Sequence, residues 1–146
     1  MSYAIDANVL LYASDVASVR HERARSEVER LALGPELVYL FWPAAVAYLR
    51  LSTHASVFAR PLTVDEAQSN LDALVGRPHV QTPGEGHGFW AALRSTLDAG
   101  VRGNLVSDAH LVALMRHHGV HRIVTHDRDF RRFEGIETVD PFAATE

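Results

Sequence analysis

The sequence has no cysteine, which excludes disulfides, thiolate zinc sites, thiol nucleophiles and CxxC redox chemistry. It also has no lysine, since all 14 basic residues are Arg. That excludes a P-loop lysine, a Schiff base and a kinase-type lysine. Long apolar runs are missing, and none reaches the roughly 18–20 residues that span a bilayer. The opening stretch MSYAIDANVLLYA lacks a basic n-region and carries Asp6 among its apolar residues, so no signal peptide is expected. These absences lead us to expect a soluble, cytoplasmic protein with no membrane contact. A cationic excess is lacking too: 14 basic residues against 18 acidic ones give −4 with His neutral. A nucleic-acid role must therefore rest on local patches rather than bulk charge.

The chain has 146 residues, 47% of them hydrophobic and 22% charged, which are ordinary globular values. A chain of this length buries roughly 68–70% of its unfolded surface. With no repeat, low-complexity tract or linker, one domain over residues 1–146 is expected.

Short apolar runs alternate with helical patterns. Tyr3-Ala4-Ile5 reads as a buried strand, and the apolar residues from Val9 start a helix. Residues 18–33 place Ala24, Val28 and Leu31 on one face of an amphipathic helix, which Gly34-Pro35 ends. Glu22, Glu27 and Glu29 among Arg20, Arg23, Arg25 and Arg30 read as its solvated ion-pair face. Val38-Tyr39-Leu40-Phe41-Trp42 predicts a second strand, and Pro43 suits the first turn of a helix over 44–53. After a loop at 54–62, Thr63-Val64-Asp65-Glu66 is a capping box for a helix to about 75. An extended piece around 79–81 and a Gly/Pro loop follow. A helix over 89–99 has Gly100 as its C′ residue, and another over 107–118 ends at Gly119. Residues 120–125 form a strand, 127–133 a turn or short helix, and 136–139 a last strand. This alternation predicts α/β layers on a mostly parallel sheet.

Three acidic spots stand out by position. Asp6 ends the first strand, Asp127 and Asp129 follow the strand ending at Thr125, and Asp108 lies in the first turn of a helix. In open α/β sheets ligands sit beyond the carboxyl ends of the strands, so these acids can converge on one cleft. Hard cations such as Mg²⁺ or Mn²⁺ want oxygen ligands. Crowded carboxylates repel unless a cation keeps them ionised, and such a cation activates water toward a phosphodiester. Taken singly, Asp6 also suits a strand-end turn or helix cap, Asp108 a helix-dipole partner, and Asp127 and Asp129 a solvated turn. Elsewhere, His117, His118 and His121 cluster at a helix C-terminus, which favours cationic groups over a zinc site. His110 is a candidate substrate contact. His87 and Trp90 read as core or interface packing, and Tyr12, Trp42 and Phe130 as core or as base-stacking surfaces.

Together, Ile5-Asp6-Ala7-Asn8-Val9-Leu10, Ser107-Asp108-Ala109-His110-Leu111-Val112-Ala113-Leu114 and Val124-Thr125-His126-Asp127-Arg128-Asp129-Phe130 follow the order and spacing of PIN-domain nucleases. More narrowly, the chain is similar to the VapC toxins of bacterial toxin–antitoxin pairs. The likeness extends to Tyr48-Leu49-Arg50-Leu51-Ser52-Thr53, Val57-Phe58 and Pro61-Leu62. It implies a three-layer α/β/α fold with a mostly parallel central sheet, and Mg²⁺- or Mn²⁺-dependent endoribonuclease activity. It also implies a VapB-type antitoxin that inserts a peptide into the cleft, and a homodimer. Asp6 and Asp108 match the family's metal-binding aspartates. Asp127 matches the acid after the fourth strand, with Asp129 beside it as helper or replacement. Asn8 and Thr125 match polar residues that support the site.

The chain departs from the family pattern in one place. Many PIN domains carry a Glu on the helix after the second strand, where Ala47 stands here. This weakens the case for a second metal and leaves open a non-catalytic protein-binding module with a weakened site. Glu22 is the nearest candidate replacement. A phosphotransferase with Asp6 as nucleophile would need an Asp at Asn8 and a Lys further on, and has neither. For RNA, residues 102–132 carry Arg102, Arg116, Arg122, Arg128, Arg131 and Arg132 against only Asp108, Asp127 and Asp129. Arg128, Arg131 and Arg132, next to Asp127, are the candidate phosphate contacts.

Overall fold

The computed structural model describes residues 1–143. Its five short strands are β1 (Ser2–Ile5), β2 (Leu37–Tyr39), β3 (Val80–Gln81), β4 (Arg122–Val124) and β5 (Glu137–Val139). They form one sheet in the order β3-β2-β1-β4-β5, and every neighbouring pair is parallel. The helices are α1 (Ala7–Ser14), α2 (His21–Leu33), α3 (Trp42–Ser52), α4 (Val64–Val75), α5 (Phe89–Thr96) and α6 (Leu105–His117), and a 3₁₀ turn spans Arg128–Arg132.

Strand side chains alternate between the two faces of the sheet. Ile5, Val38 and Val124 join a core with α1, α2, α3 and α4. Ala4 and Ile123, one residue earlier on their strands, join a second core with α6 and the aromatic residues Phe41, Phe130 and Phe133. The result is the expected three-layer α/β/α arrangement. Helix α6 buries the continuous run Leu111 to Met115, as a helix packed between the sheet and α5 must. No helix among the described residues is long and apolar enough to cross a membrane.

The local signals act as expected in several places. Thr63 and Glu66 form a complete capping box at α4. Arg25–Glu29 at 3.1 Å and Arg30–Glu27 at 2.6 Å form the ion-pair face of α2.

Three expectations need correction. The second strand stops at Tyr39 rather than Trp42, because Pro43 draws Trp42 into the first turn of α3 and leaves Phe41 as its extended N-cap. Helix α5 ends at Thr96, so Gly100 is not its C′ residue. Gly100 instead donates its N–H to Asp98 Oδ1 at 2.8 Å. A Cβ there would stand 2.6 Å from Arg132 Nη2, the tip of a flexible side chain that would have to shift. Of the readings given for Trp42 and Trp90, the core one is corrected, since they are 44% and 66% exposed. Phe130 is buried, and Tyr12 meets Phe142 edge to face at 5.3 Å.

Candidate metal centre

The order β3-β2-β1-β4-β5 reverses between β1 and β4. The chain winds outward from β1 through β2 to β3, then returns to add β4 and β5 on the other side. Such a switch point opens a crevice beyond the strand ends. The ladder continues one step past both strands: Asp6 donates its N–H to Val124 O, and Thr125 donates to Val139 O, both at 3.0 Å. Asp6 and Thr125 are thereby fixed side by side at the mouth of the crevice.

The Thr125 hydroxyl is the hub of the site. It donates to Asp6 Oδ2 at 2.7 Å, and accepts from Asn8 Nδ2 at 3.3 Å and from the Asp127 N–H at 2.9 Å. One hydroxyl offers one donor and two acceptor lone pairs, so its capacity is filled. Because its proton goes to Asp6, Asn8 must present its amide nitrogen. Asn8 Oδ1 is then buried without a protein partner among the described residues. Asp6 is the N-cap of α1 and lines the cleft, where Thr125 holds its carboxylate. Asp127 Oδ1 accepts the Asp129 N–H at 2.8 Å, which folds the 3₁₀ turn back toward the strand end.

Asp6, Asp108 and Asp127 all line one cleft of about 250 Å³, together with Asn8 and Ser107. Asp129 is exposed and does not line the cleft, yet carboxylate oxygens of Asp108, Asp127 and Asp129 lie within 4.8 Å of one another. The shared cleft thus contains the predicted trio, but the tightest oxygen triad pairs Asp108 and Asp127 with Asp129. Asp6 faces the triad through Thr125. The crowding shows in the protonation equilibria. Burial, then the charges of Asp127, Asp6 and Asp129, pushes the Asp108 carboxyl up to about 7. Asp6 is also raised, chiefly by burial, with the Thr125 hydroxyl acting the other way. A set of all-oxygen donors that repel one another when ionised suits a hard divalent cation.

The opposite wall is apolar. Pro43, Ala44, Ala47 and Leu51 face the carboxylates from α3, and Leu11 and Leu111 close the ends. Ala47 does occupy the cleft wall where the family's Glu was expected. Glu22 does not replace it: it does not line the cleft, its side chain is 82% exposed, and its ion-pair partner among the described residues is His21, at 3.9 Å. Among the described residues, the clustered metal-ligand set is the aspartate one. His118 instead bonds the Gly84 carbonyl at 2.9 Å, and His121 is exposed. His110 is not among the cleft-lining residues, and its Nε2 meets Glu85 at 2.7 Å.

The arginines divide by partner. Arg131 Nε donates to Thr138 Oγ1 at 3.2 Å, and Arg132 reaches Asp98 at 3.6 Å. Arg128 is exposed and forms no ion pair among the described residues. Reading the sequence missed Ser107 and the apolar α3 wall as parts of the cleft. The wall left a signal: Pro43, Ala44, Ala47 and Leu51 fall at i, i+1, i+4 and i+8, one face of a helix.

Known proteins resemble this chain over nearly its whole length. The family model for the PIN domain matches residues 3–136. Ribonuclease VapC48 of Mycobacterium tuberculosis is 51% identical over 144 residues, covering 98% of this chain and 99% of that protein. Among solved structures, Mycobacterium tuberculosis VapC20, described as a sarcin-ricin loop cleaving toxin, aligns with a TM-score of 0.63 at 16% identity, over 92% of this chain and 98% of that one. VapBC2 of Rickettsia felis, bound to a DNA fragment from its promoter, aligns with a TM-score of 0.60 at 18% identity, over 95% and 98%. At such identities these two structures share the fold.

Proposed function

This chain belongs to the PIN-domain family and, within it, to the VapC ribonucleases, and from that premise we propose that it is the toxin of a type II toxin–antitoxin pair, an endoribonuclease that hydrolyses RNA phosphodiester bonds with Mg²⁺ or Mn²⁺. The observation that carries this reading is the convergence of Asp6, Asp108 and Asp127 on one cleft at the switch point of the sheet. The 51% identity to a named ribonuclease over 98% of the chain supports it. Those two facts together do not favour a non-catalytic module.

Asp108, Asp127 and Asp129 would hold the ion, with Asp6 completing the charge of the site from the β1 end. A bound hard cation there supplies activation of water and neutralises charge developing on the phosphate oxygens. The chain's own residues do the positioning. Thr125 fixes the Asp6 carboxylate at the cleft by donating to its Oδ2. Asn8 holds Thr125 in place from the far side. Asp127, tied through its backbone N–H to Thr125, cannot drift from Asp6 without breaking the hub. Arg128, exposed beside Asp127, binds a flanking phosphate. Arg131 and Arg132 can add phosphate contacts only by giving up the bonds they now make to Thr138 and Asp98.

The complex named VapBC2 supports a VapB-type antitoxin as partner, and a homodimer belongs to the same reading. The deciding experiment is cleavage of total RNA with end mapping, run with Mg²⁺ or Mn²⁺ and with EDTA, on the wild type and on Asp108→Asn. Discrete cuts that vanish with EDTA and with the substitution are expected. Equal cutting by a well-folded Asp108→Asn protein would overturn the assignment of the site.

A further inference from the structure

A second pocket opens behind the metal cleft. It has a volume of about 190 Å³ and is lined by Asn8, Leu11, Tyr12, Asp15, Val57 and Phe58. Asn8 and Leu11 line the metal cleft as well, so the two spaces share a wall. The four α1-side residues, Asn8, Leu11, Tyr12 and Asp15, fall at i, i+3, i+4 and i+7, along one helix face. The loop of residues 54–62 supplies the opposite wall. Beyond Asp15 the pocket continues into a wider depression that carries Arg60.

We propose that this pocket is the subsite that receives the base next to the cleaved bond, and that it prefers guanine. The proposal rests on the ribonuclease reading above and names the substrate feature which that cleft selects. Leu11, Val57, the edge of the nearly buried Phe58 and the ring of Tyr12 give it an apolar lining. Such surfaces suit a flat, apolar face. Beside the Asn8 amide and the Tyr12 hydroxyl, its charged group is the Asp15 carboxylate, whose side-chain hydrogen-bond partner among the described residues is the Ala17 N–H, at 3.2 Å. Asp15 has no ion-pair partner among the described residues.

A carboxylate beside an apolar lining repels phosphate, so the part of a polynucleotide that fits is the base. A carboxylate accepts and never donates, so it selects a base edge that offers N–H groups. Guanine offers two in parallel, from N1 and the exocyclic amine. The flanking phosphates find cations outside the pocket. Arg20 lies 5.5 Å over the Tyr12 ring with no acidic partner among the described residues, and Arg60 is exposed on the adjoining depression.

The test uses short RNAs carrying each of the four bases around one cleavable bond. Cleavage is read with Mn²⁺, and binding is read by fluorescence anisotropy in EDTA. Two variants are compared with the wild type. Asp15→Asn keeps an acceptor for the Ala17 N–H, while Val57→Trp fills the pocket from an exposed position. The wild type should prefer guanine at one position flanking the bond by about tenfold or more, in cleavage and in binding. Asp15→Asn should abolish that preference by losing the guanine substrates alone. Val57→Trp should weaken the guanine substrates most, with an unchanged melting curve.

The subsite is overturned if both variants keep the wild-type base pattern. That includes the case in which they lose only inhibition by an antitoxin peptide, which would make the groove a protein-docking surface. Strong cutting with no base preference sinks the subsite and leaves the ribonuclease reading intact. Guanine-selective binding that Asp15→Asn removes, without any cutting, leaves a guanine-binding pocket but overturns both its place beside a cleaved bond and the nuclease.

Discussion

The two walls of the metal cleft differ in kind. One is built from the ends of β1 and β4 and the first turn of α6, where burial, with the charges of neighbouring carboxylates added, pushes the Asp108 carboxyl up to about 7. The other is the face of α3, and presents only Pro43, Ala44, Ala47 and Leu51. On the proposed reading, an ion in this cleft would find its ligands on one side only. The apolar side cannot supply a ligand, but it displaces water and so strengthens the interactions made by the acidic side. This arrangement suits one tightly held ion better than two.

The most forceful way to break the contrast is to remove a charge from the acidic wall. Asp108→Asn should lower metal-dependent RNA cleavage by more than about 100-fold, measured as initial rates at saturating Mn²⁺. The same variant should stabilise the metal-free protein above pH 7 in urea melts, because it relieves the repulsion that raises Asp108. Removing the hub is next. Thr125→Val keeps the volume but leaves Asp6, the Asn8 amide and the Asp127 N–H without their shared partner. It should cost about 1–3 kcal/mol in urea unfolding, with a loss of cleavage larger than the loss of fold.

The contrast can also be erased from the apolar side. Ala47→Glu gives the α3 wall a carboxylate, and should tighten Mn²⁺ binding by about tenfold in calorimetry. It should also make the metal-free protein less stable at neutral pH.

The pH dependence sharpens the comparison without mutation. The folded-state value for Asp108 lies above the ordinary carboxylate value, so the metal-free fold binds the extra proton between about 4 and 7. Its stability must then fall as pH rises through that window. A metal ion has to displace that proton, so Mn²⁺ affinity should drop about tenfold per pH unit below 7, and Asp108→Asn should flatten both curves. The smallest effect should come from Arg128→Ala. It should weaken RNA binding evenly across sequences and reduce the salt slope by about one charge.

Much of this cleft was legible in the sequence. A short apolar run that stops at an acid marks the end of a parallel strand, as at Asp6, and Asp127 follows its run by three residues, after Thr125 and His126. The signal exists because strand ends in such sheets are where the backbone leaves the core. Asp108 was legible because an acid in a first helical turn is tied to a recognisable helix start. Two things were not legible: that Asp129, rather than Asp6, completes the tightest triad, and that Trp42 and Trp90 face solvent. Both depend on how neighbouring elements pack, which local spacing does not report. The fate of Gly100 was hidden for the same reason, because Arg132, which crowds it, lies 32 residues further along the chain.

By itself, the sequence determined the alternation of strands and helices, the layered α/β class and which acids stand at strand ends. Those follow from period, caps and breakers acting within a few residues of one another. Only the tertiary structure decided that β1 and β4 are neighbours, that one threonine hydroxyl binds Asp6, Asn8 and Asp127 together, and that α1 and the 54–62 loop enclose a pocket behind the metal cleft. Each of those joins residues from tens to more than a hundred positions apart, and only packing of the layers against a common core can bring them within hydrogen-bonding distance.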